Sequence, residues 1–153
     1  MNRRRLILEQ MTEKTLQFSI LKEVSPPVKG WIRAIRDALG MSGVQFAKRQ
    51  KVSPARVASL EKAEITGAVT IRSMRKAAAA LDCVFVYALV PRSSLENTLR
   101  EQARRVAQAR LEHTSHTMLL EDQRLSSEDL RRVLDGAVAE LMDAMPRDLW
   151  DGP

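Results

Sequence analysis

Two helix-start signals, eleven residues apart, constrain the fold of this chain more than any other feature. Ser42 and Gln45 match a capping box, in which each side chain binds the backbone N–H of the other residue at the start of a helix. Ser53 followed by Pro54 is a second start, because serine caps a helix and proline fits its first position. Segment 42–62 is therefore predicted to form a helix of about eight residues, a short turn and a second helix.

The second helix of this segment has the pattern of a helix that enters a DNA groove. Val57 and Leu60 give it a buried stripe, whereas the outward positions near its start are small or polar. Arg56 is predicted to contact guanine, because a guanidinium can make two parallel hydrogen bonds to that base. The predicted DNA-binding residues, on the groove side and on the phosphate side, are Ser42, Lys48, Arg49, Lys51, Ser53, Pro54, Ala55, Arg56, Ser59 and Lys62. The alternative is a helical bundle whose cations only face solvent.

The charge of the chain is unevenly distributed. The formal net charge of the 153 residues is +6, yet residues 29–62 alone hold eight basic and two acidic side chains. Residues 112–153 hold four basic and ten acidic side chains. The basic region indicates a polyanion such as double-stranded DNA as a partner. The acidic region indicates either a protein partner or shielding of the basic surface.

Composition excludes several other classes of function. No apolar run approaches the roughly 20 residues of a membrane span, and Glu9 interrupts the basic start before a secretory signal can form. The single cysteine, Cys83, excludes an internal disulfide and indicates a cytoplasmic protein. His113 and His116 have no third ligand nearby, so no metal or other cofactor is expected. No catalytic set of side chains is present, and we expect no enzyme activity.

The predicted organisation is an N-terminal extension (1–28), a DNA-binding domain (29–82), a strand (83–92) and a C-terminal helical region (93–153). Residues 3–21 fit either a helix or a strand. The run from Cys83 to Val90 reads CVFVYALV, which favours a buried strand. Its pairing partner would be residues 15–21 or the same strand of a second subunit, which suggests a homodimer. Ser93 and Ser126 are predicted to cap two C-terminal helices. The expected fold class is mainly α, with one β-strand.

The run SGVQFAKRQKVSPARVASLEKAE resembles the phage-repressor, or Xre-type, helix-turn-helix. Gly43 and Pro54 stand where that family often has glutamine, so its glutamine-to-adenine contact does not carry over. Three further runs resemble the bacterial family called mobile mystery protein A: PPVKGWIRAIRDALGMS, LEKAEITGAVTIRSMRKAAAALDCVFVYALVPR and SHTMLLEDQ. This resemblance implies an antitoxin and autorepressor, bound to the nucleoid when on DNA, from a two-gene toxin-antitoxin unit whose partner gene encodes a Fic-domain protein.

The same resemblance singles out a short motif in the acidic region. Fic enzymes are commonly held inactive by a helix that carries Ser or Thr, then Glu four residues later, then Gly or Asn. Thr117 and Glu121 match this spacing, and Asp122 departs from it. The implied alternative function is inhibition of a Fic-domain AMP-transferase, in which Glu121 pairs with the arginine that holds the nucleotide. Otherwise, the apolar residues of the motif belong to a core and Glu121 is solvated.

Overall fold

The computed structural model describes residues 3–118 and 126–152 and shows a helical protein. A short 3-10 helix, Ser19–Glu23, follows the first of its α-helices, which are α1 (Arg3–Leu16), α2 (Trp31–Ala38), α3 (Gly43–Gln50), α4 (Pro54–Thr66), α5 (Ile71–Ala80), α6 (Leu95–Met118) and α7 (Ser127–Ala144). The expected mainly α class is confirmed. The chain divides into two compact units. The central unit spans Ile20–Ala88, and the terminal unit combines the residues up to Ser19 with those from Leu89 onward.

The central unit is a bundle of α2 to α5 around one apolar core. Local capping starts three of its helices, because the side chains of Ser42, Ser53 and Thr70 each accept a hydrogen bond from a backbone N–H in the first turn. The capping box of Ser42 and Gln45 is complete, as predicted. Apolar side chains at helical spacing then close the core: Ile32, Phe46, Ala47, Val57, Leu60, Met74, Ala77 and Leu81.

The predicted strand at 83–92 is wrong, since the described residues contain no β-strand. A strand needs a neighbour for its backbone hydrogen bonds. Cys83 donates its N–H to the carbonyl of Ala78 at 2.8 Å, but residues 84–89 make no backbone hydrogen bond within the described chain. The proposed partner segment, 15–21, is itself taken up by the end of α1 and the 3-10 helix. The structure thus resolves the ambiguity of the N-terminal segment in favour of helix.

The terminal unit packs α1, α6 and α7 around a second core. Its buried apolar residues lie mainly on α6 and α7: Leu99, Ala103, Val106, Ala107, Val138, Leu141, Met145 and Leu149. Gln102 fixes the C-terminal segment, because its side-chain amide donates to the carbonyl oxygens of Leu149 at 2.8 Å and Gly152 at 3.2 Å. Ser126 caps α7 as predicted. The expected cap at Ser93 is off by one residue, because Ser94 accepts the bond from the Asn97 N–H.

None of the described helices combines the length and apolar character that crossing a membrane requires.

Candidate nucleic-acid interface

The segment α3–turn–α4 adopts the arrangement that its capping signals predict. A turn of three residues, Lys51 to Ser53, joins the two helices. Phe46 and Ala47 on α3 face Val57 and Leu60 on α4, and all four side chains are buried. Ala47 is small, so the two helices can approach closely where they cross. The outer surface of α4 is therefore presented on a rigid support.

Lys51 ends α3 in the left-handed helical conformation, with φ 57° and ψ 43°. Its N–H donates to the carbonyl of Lys48 at 3.2 Å, and the next residue, Val52, donates to Ala47 at 3.0 Å. Glycine is the usual residue in this conformation, because a Cβ atom there costs about 1–2 kcal/mol. A lysine at this position places a cation at the tip of the turn at an energetic cost.

A buried ion pair fastens α4 to α2. The Nε of Arg36 donates to Oε1 of Glu61 at 2.8 Å, and the two side chains are only 10% and 11% exposed. Arg36 also donates through Nη1 to the carbonyl of Met41 at 2.7 Å. The hydrogen bond to Glu61 raises the pKa of Arg36 above its ordinary value, although burial opposes the shift. Arg36 therefore stays charged throughout the working pH range.

A second carboxylate of α4 caps the neighbouring helix. Glu64 accepts hydrogen bonds from the backbone N–H groups of Trp31 at 2.7 Å and Ile32 at 3.0 Å, which are the first residues of α2. A negative charge here satisfies the unpaired N–H groups and the positive end of the helix dipole. Gly30 makes room for this contact, because a Cβ atom at its φ of 78° would lie 2.8 Å from a Glu64 oxygen.

The contacts of Glu61 and Glu64 with α2 keep the acidic side chains of α3 and α4 apart from the basic ones. Glu61 and Glu64 are the only acidic residues between 43 and 66, and both are engaged with α2. Within the part of the chain that the structure describes, the exposed cations of this segment form no ion pair: Lys48, Arg49, Lys51, Arg56 and Lys62. Elsewhere, exposed arginines such as Arg33 and Arg100 have an acid four residues away. The charged side chains on the outer surface of α3 and α4 are thus all basic.

The sequence-predicted groove residues fall on two lines of α4. At about 100° per residue, Ala55, Ser59 and Lys62 lie directly opposite the buried side of the helix. Arg56 is exposed but lies about a quarter turn to one side. Pro54 occupies the first helical position and is exposed. The small outer surface of the first turns would let the α4 backbone approach a groove closely.

Three predicted site residues are already engaged within the protein. The Ser42 and Ser53 hydroxyl oxygens accept capping bonds from Gln45 and Arg56. Arg49 donates from Nε to the carbonyl of Ala80 at 2.8 Å, which leaves its Nη groups for other contacts. For the serines, the backbone N–H groups at the starts of the two helices remain the groups that an anion could approach.

Sequence reasoning missed one group of exposed cations. Arg72 and Lys76 lie one turn apart on the exposed side of α5, opposite the buried Met74 and Ala77. The signal was available in the sequence, because the cap at Thr70 fixes the start of α5 and with it the phase of the helix. These side chains extend the basic surface of the central unit beyond the predicted segment.

The Thr117–Asp122 motif of the acidic region lies only partly within the described residues. Thr117 belongs to the last turn of α6, whereas Glu121 and Asp122 lie outside the described residues. Among the residues that the structure does describe, no group of three or more His, Cys, Asp or Glu side chains is arranged to hold a metal ion.

The chain matches no protein-family model, no curated protein and no solved structure. The DNA-binding function proposed below therefore depends on the residues and geometry of the central unit.

Proposed function

We propose that the central unit binds double-stranded DNA through α4 and that the protein is a sequence-specific DNA-binding regulator. The observation that supports this proposal is the separation of charge on α3 and α4. Both acids of these helices are engaged with α2, and the outward cations have no acidic partner among the described residues. A surface built only for solubility mixes both signs of charge.

The position of each side chain on α4 indicates whether it would contact a base or a phosphate. Ala55 and Ser59 face the base edges, where a methyl group can contact thymine and a hydroxyl group can donate or accept. Arg56 reaches toward guanine from the side of the helix. Lys51 and Lys62, together with Lys48 on α3, contact phosphates on either side of the groove.

Changing the lysines together tests DNA binding. Lys48, Lys51 and Lys62 are replaced by Gln, and binding to a duplex is measured by fluorescence anisotropy over a range of salt concentrations. The slope of log K against log salt is negative, and its magnitude is expected to fall by about 2.7, because each lost phosphate contact removes about 0.9. The matched control changes three exposed lysines outside α3 and α4, namely Lys14, Lys22 and Lys29, so that both variants have the same net charge. Equal slopes in the two variants would contradict the proposed interface.

Base recognition needs a separate measurement. A preferred duplex is first selected from a random pool with the wild-type protein. Arg56→Ala is expected to weaken binding to that duplex by about 1–3 kcal/mol and to relax the preference at one base pair. Lys51→Ala is expected to weaken selected and random duplexes equally. An equal loss on both duplexes for Arg56→Ala would overturn the assignment of Arg56 to a base.

The biological setting that we propose comes from the family resemblance. In this setting the chain is a cytoplasmic antitoxin and autorepressor, acts as a homodimer on an operator, and pairs with a Fic-domain protein. The strongly acidic region 112–153 supports a second candidate, in which Thr117 and Glu121 inhibit that enzyme. Glu121→Ala is then expected to release nucleotide transfer by the partner while DNA binding stays intact. Unchanged inhibition would eliminate the motif.

A further inference from the structure

The central unit has an apolar groove on the side formed by α2 and α5. Its volume is about 330 Å³. Trp31 and Ile35 of α2, together with Met74 of α5, form its base, and the segment Val84–Val86 forms its wall. No residue of α3 or α4 lines it. None of the predicted DNA-binding residues therefore belongs to the groove.

Four apolar or aromatic side chains in the groove or next to it are exposed. The exposed fractions are 87% for Val84, 61% for Val86 and 44% for Trp31, which line the groove, and 58% for Tyr87, which follows its wall in the chain. Apolar patches of a few hundred Å² are often interaction sites. From these fractions the four side chains offer on the order of 500 Å² per copy, so two copies would bury roughly 1,000 Å², the lower limit for a specific interface.

Side-chain contacts and one backbone hydrogen bond restrain the segment that forms the wall. The rings of Phe85 and Tyr87 stack with centroids 5.9 Å apart, and the Arg75 guanidinium lies 5.8 Å from the Tyr87 ring centre. The Cys83 N–H bond to Ala78 anchors the start of the segment to the end of α5. Contacts that restrain a segment before it binds reduce the conformational entropy that it loses on association.

We infer that this groove is the interface of a homodimer, in which the apolar wall of each copy packs against the groove of the other around a twofold axis. Groove and wall belong to one patch, so a twofold axis brings each into contact with the other, as a symmetric interface requires. This inference rests on the proposed function, because it assigns a surface to the homodimer proposed there. The interface itself is formed by side-chain packing alone. It also predicts a salt response opposite to that of DNA binding, because the central unit carries twelve basic and five acidic residues that repel their copies.

The test is sedimentation equilibrium of the full chain from about 1 to about 100 µM, a range that brackets moderate self-association. The mass is expected to rise from 17.2 kDa toward twice that value, and more completely at high salt. Val84→Glu and Val86→Glu are expected to weaken the dimer at least tenfold. The control Val28→Glu changes an exposed valine outside the groove and is expected to have no effect. Circular dichroism verifies that all three variants fold.

A second measurement does not depend on substitutions. Cys83 lines the groove and is the only cysteine, so its alkylation rate reports on coverage of the groove. The rate is expected to fall several-fold as the protein concentration rises. A monomer at every concentration and salt, or a dimer that Val84→Glu leaves intact with Cys83 unprotected, would overturn the inference. Failure of the proposed function looks different, since the wild type would then form the dimer but retain no duplex at low salt.

Discussion

Breaking the ion pair between Arg36 and Glu61 is expected to destabilise the central unit more than any change to its exposed charges. Glu61→Leu removes the acceptor of the 2.8 Å bond and leaves an arginine that is 10% exposed without its carboxylate. Loss of one partner from a buried pair typically costs 3–5 kcal/mol. We expect about 3 kcal/mol, the lower end of that range, because Arg36 keeps its bond to the Met41 carbonyl and its contact with the half-exposed Asp37.

The assay has to report on the central unit alone, because a protein with two units does not unfold in a single two-state step. Each unit contains one tryptophan, Trp31 in the central unit and Trp150 in the terminal unit. In a background with the half-exposed Trp150 changed to Phe, urea unfolding followed by fluorescence measures the stability of the central unit. The matched control is Arg33→Gln, which removes the exposed 3.8 Å pair with Asp37 and is expected to cost less than about 0.5 kcal/mol.

A double variant distinguishes the stability lost through an unpaired buried charge from the stability lost through poorer packing. Arg36→Met combined with Glu61→Leu replaces both charges with apolar side chains of similar size, and such replacements are often neutral. We expect the double variant to recover most of the stability that Glu61→Leu loses. If Glu61→Leu costs no more than Arg33→Gln, or if the double variant is as unstable as the single one, the reasoning about an uncompensated buried charge is refuted.

Three further changes test other contacts of the fold. Gly30→Ala is expected to cost more than about 1–2 kcal/mol in urea unfolding, because the left-handed backbone is strained and the new Cβ atom collides with Glu64. Lys51→Gly is expected to stabilise the central unit by about 0.5–1 kcal/mol in urea unfolding, since relief of strain exceeds the entropy cost of glycine. The same change is expected to reduce the magnitude of the salt slope of DNA binding by about 0.9. Gln102→Leu is expected to release the C-terminal segment at a cost of about 1–3 kcal/mol, seen as faster proteolytic trimming near Leu149.

Local signals made much of the central unit predictable. The caps at Ser42, Ser53 and Thr70 depend on hydrogen bonds that span only three residues, so the sequence pattern and the structure agree. The error at Ser93 is also local, because two adjacent serines offer the same chemistry and only the one directly before Leu95 has the geometry to cap α6.

Contacts between distant residues were not predictable in the same way. Apolar character alone suggested a strand for Cys83–Val90, but a strand depends on a neighbour that local sequence cannot supply. The roles of Glu61 and Glu64 depend on partners on α2, 25 and about 33 residues away, respectively. Neither carboxylate carries any local mark that distinguishes it from an exposed one.

The placement of these two carboxylates connects stability with the proposed function. An interface for DNA needs cations that are free of internal partners, and an excess of like charges destabilises the fold that carries them. In the central unit the acids of α4 compensate for this inside the protein, where Glu61 neutralises a buried arginine and Glu64 caps α2. If they were moved to the surface, the same two acids would pair with Lys48, Arg56 or Lys62 and weaken phosphate binding. Because α4 uses its acids to hold α2, the charged side chains that remain on its outer surface are all cations.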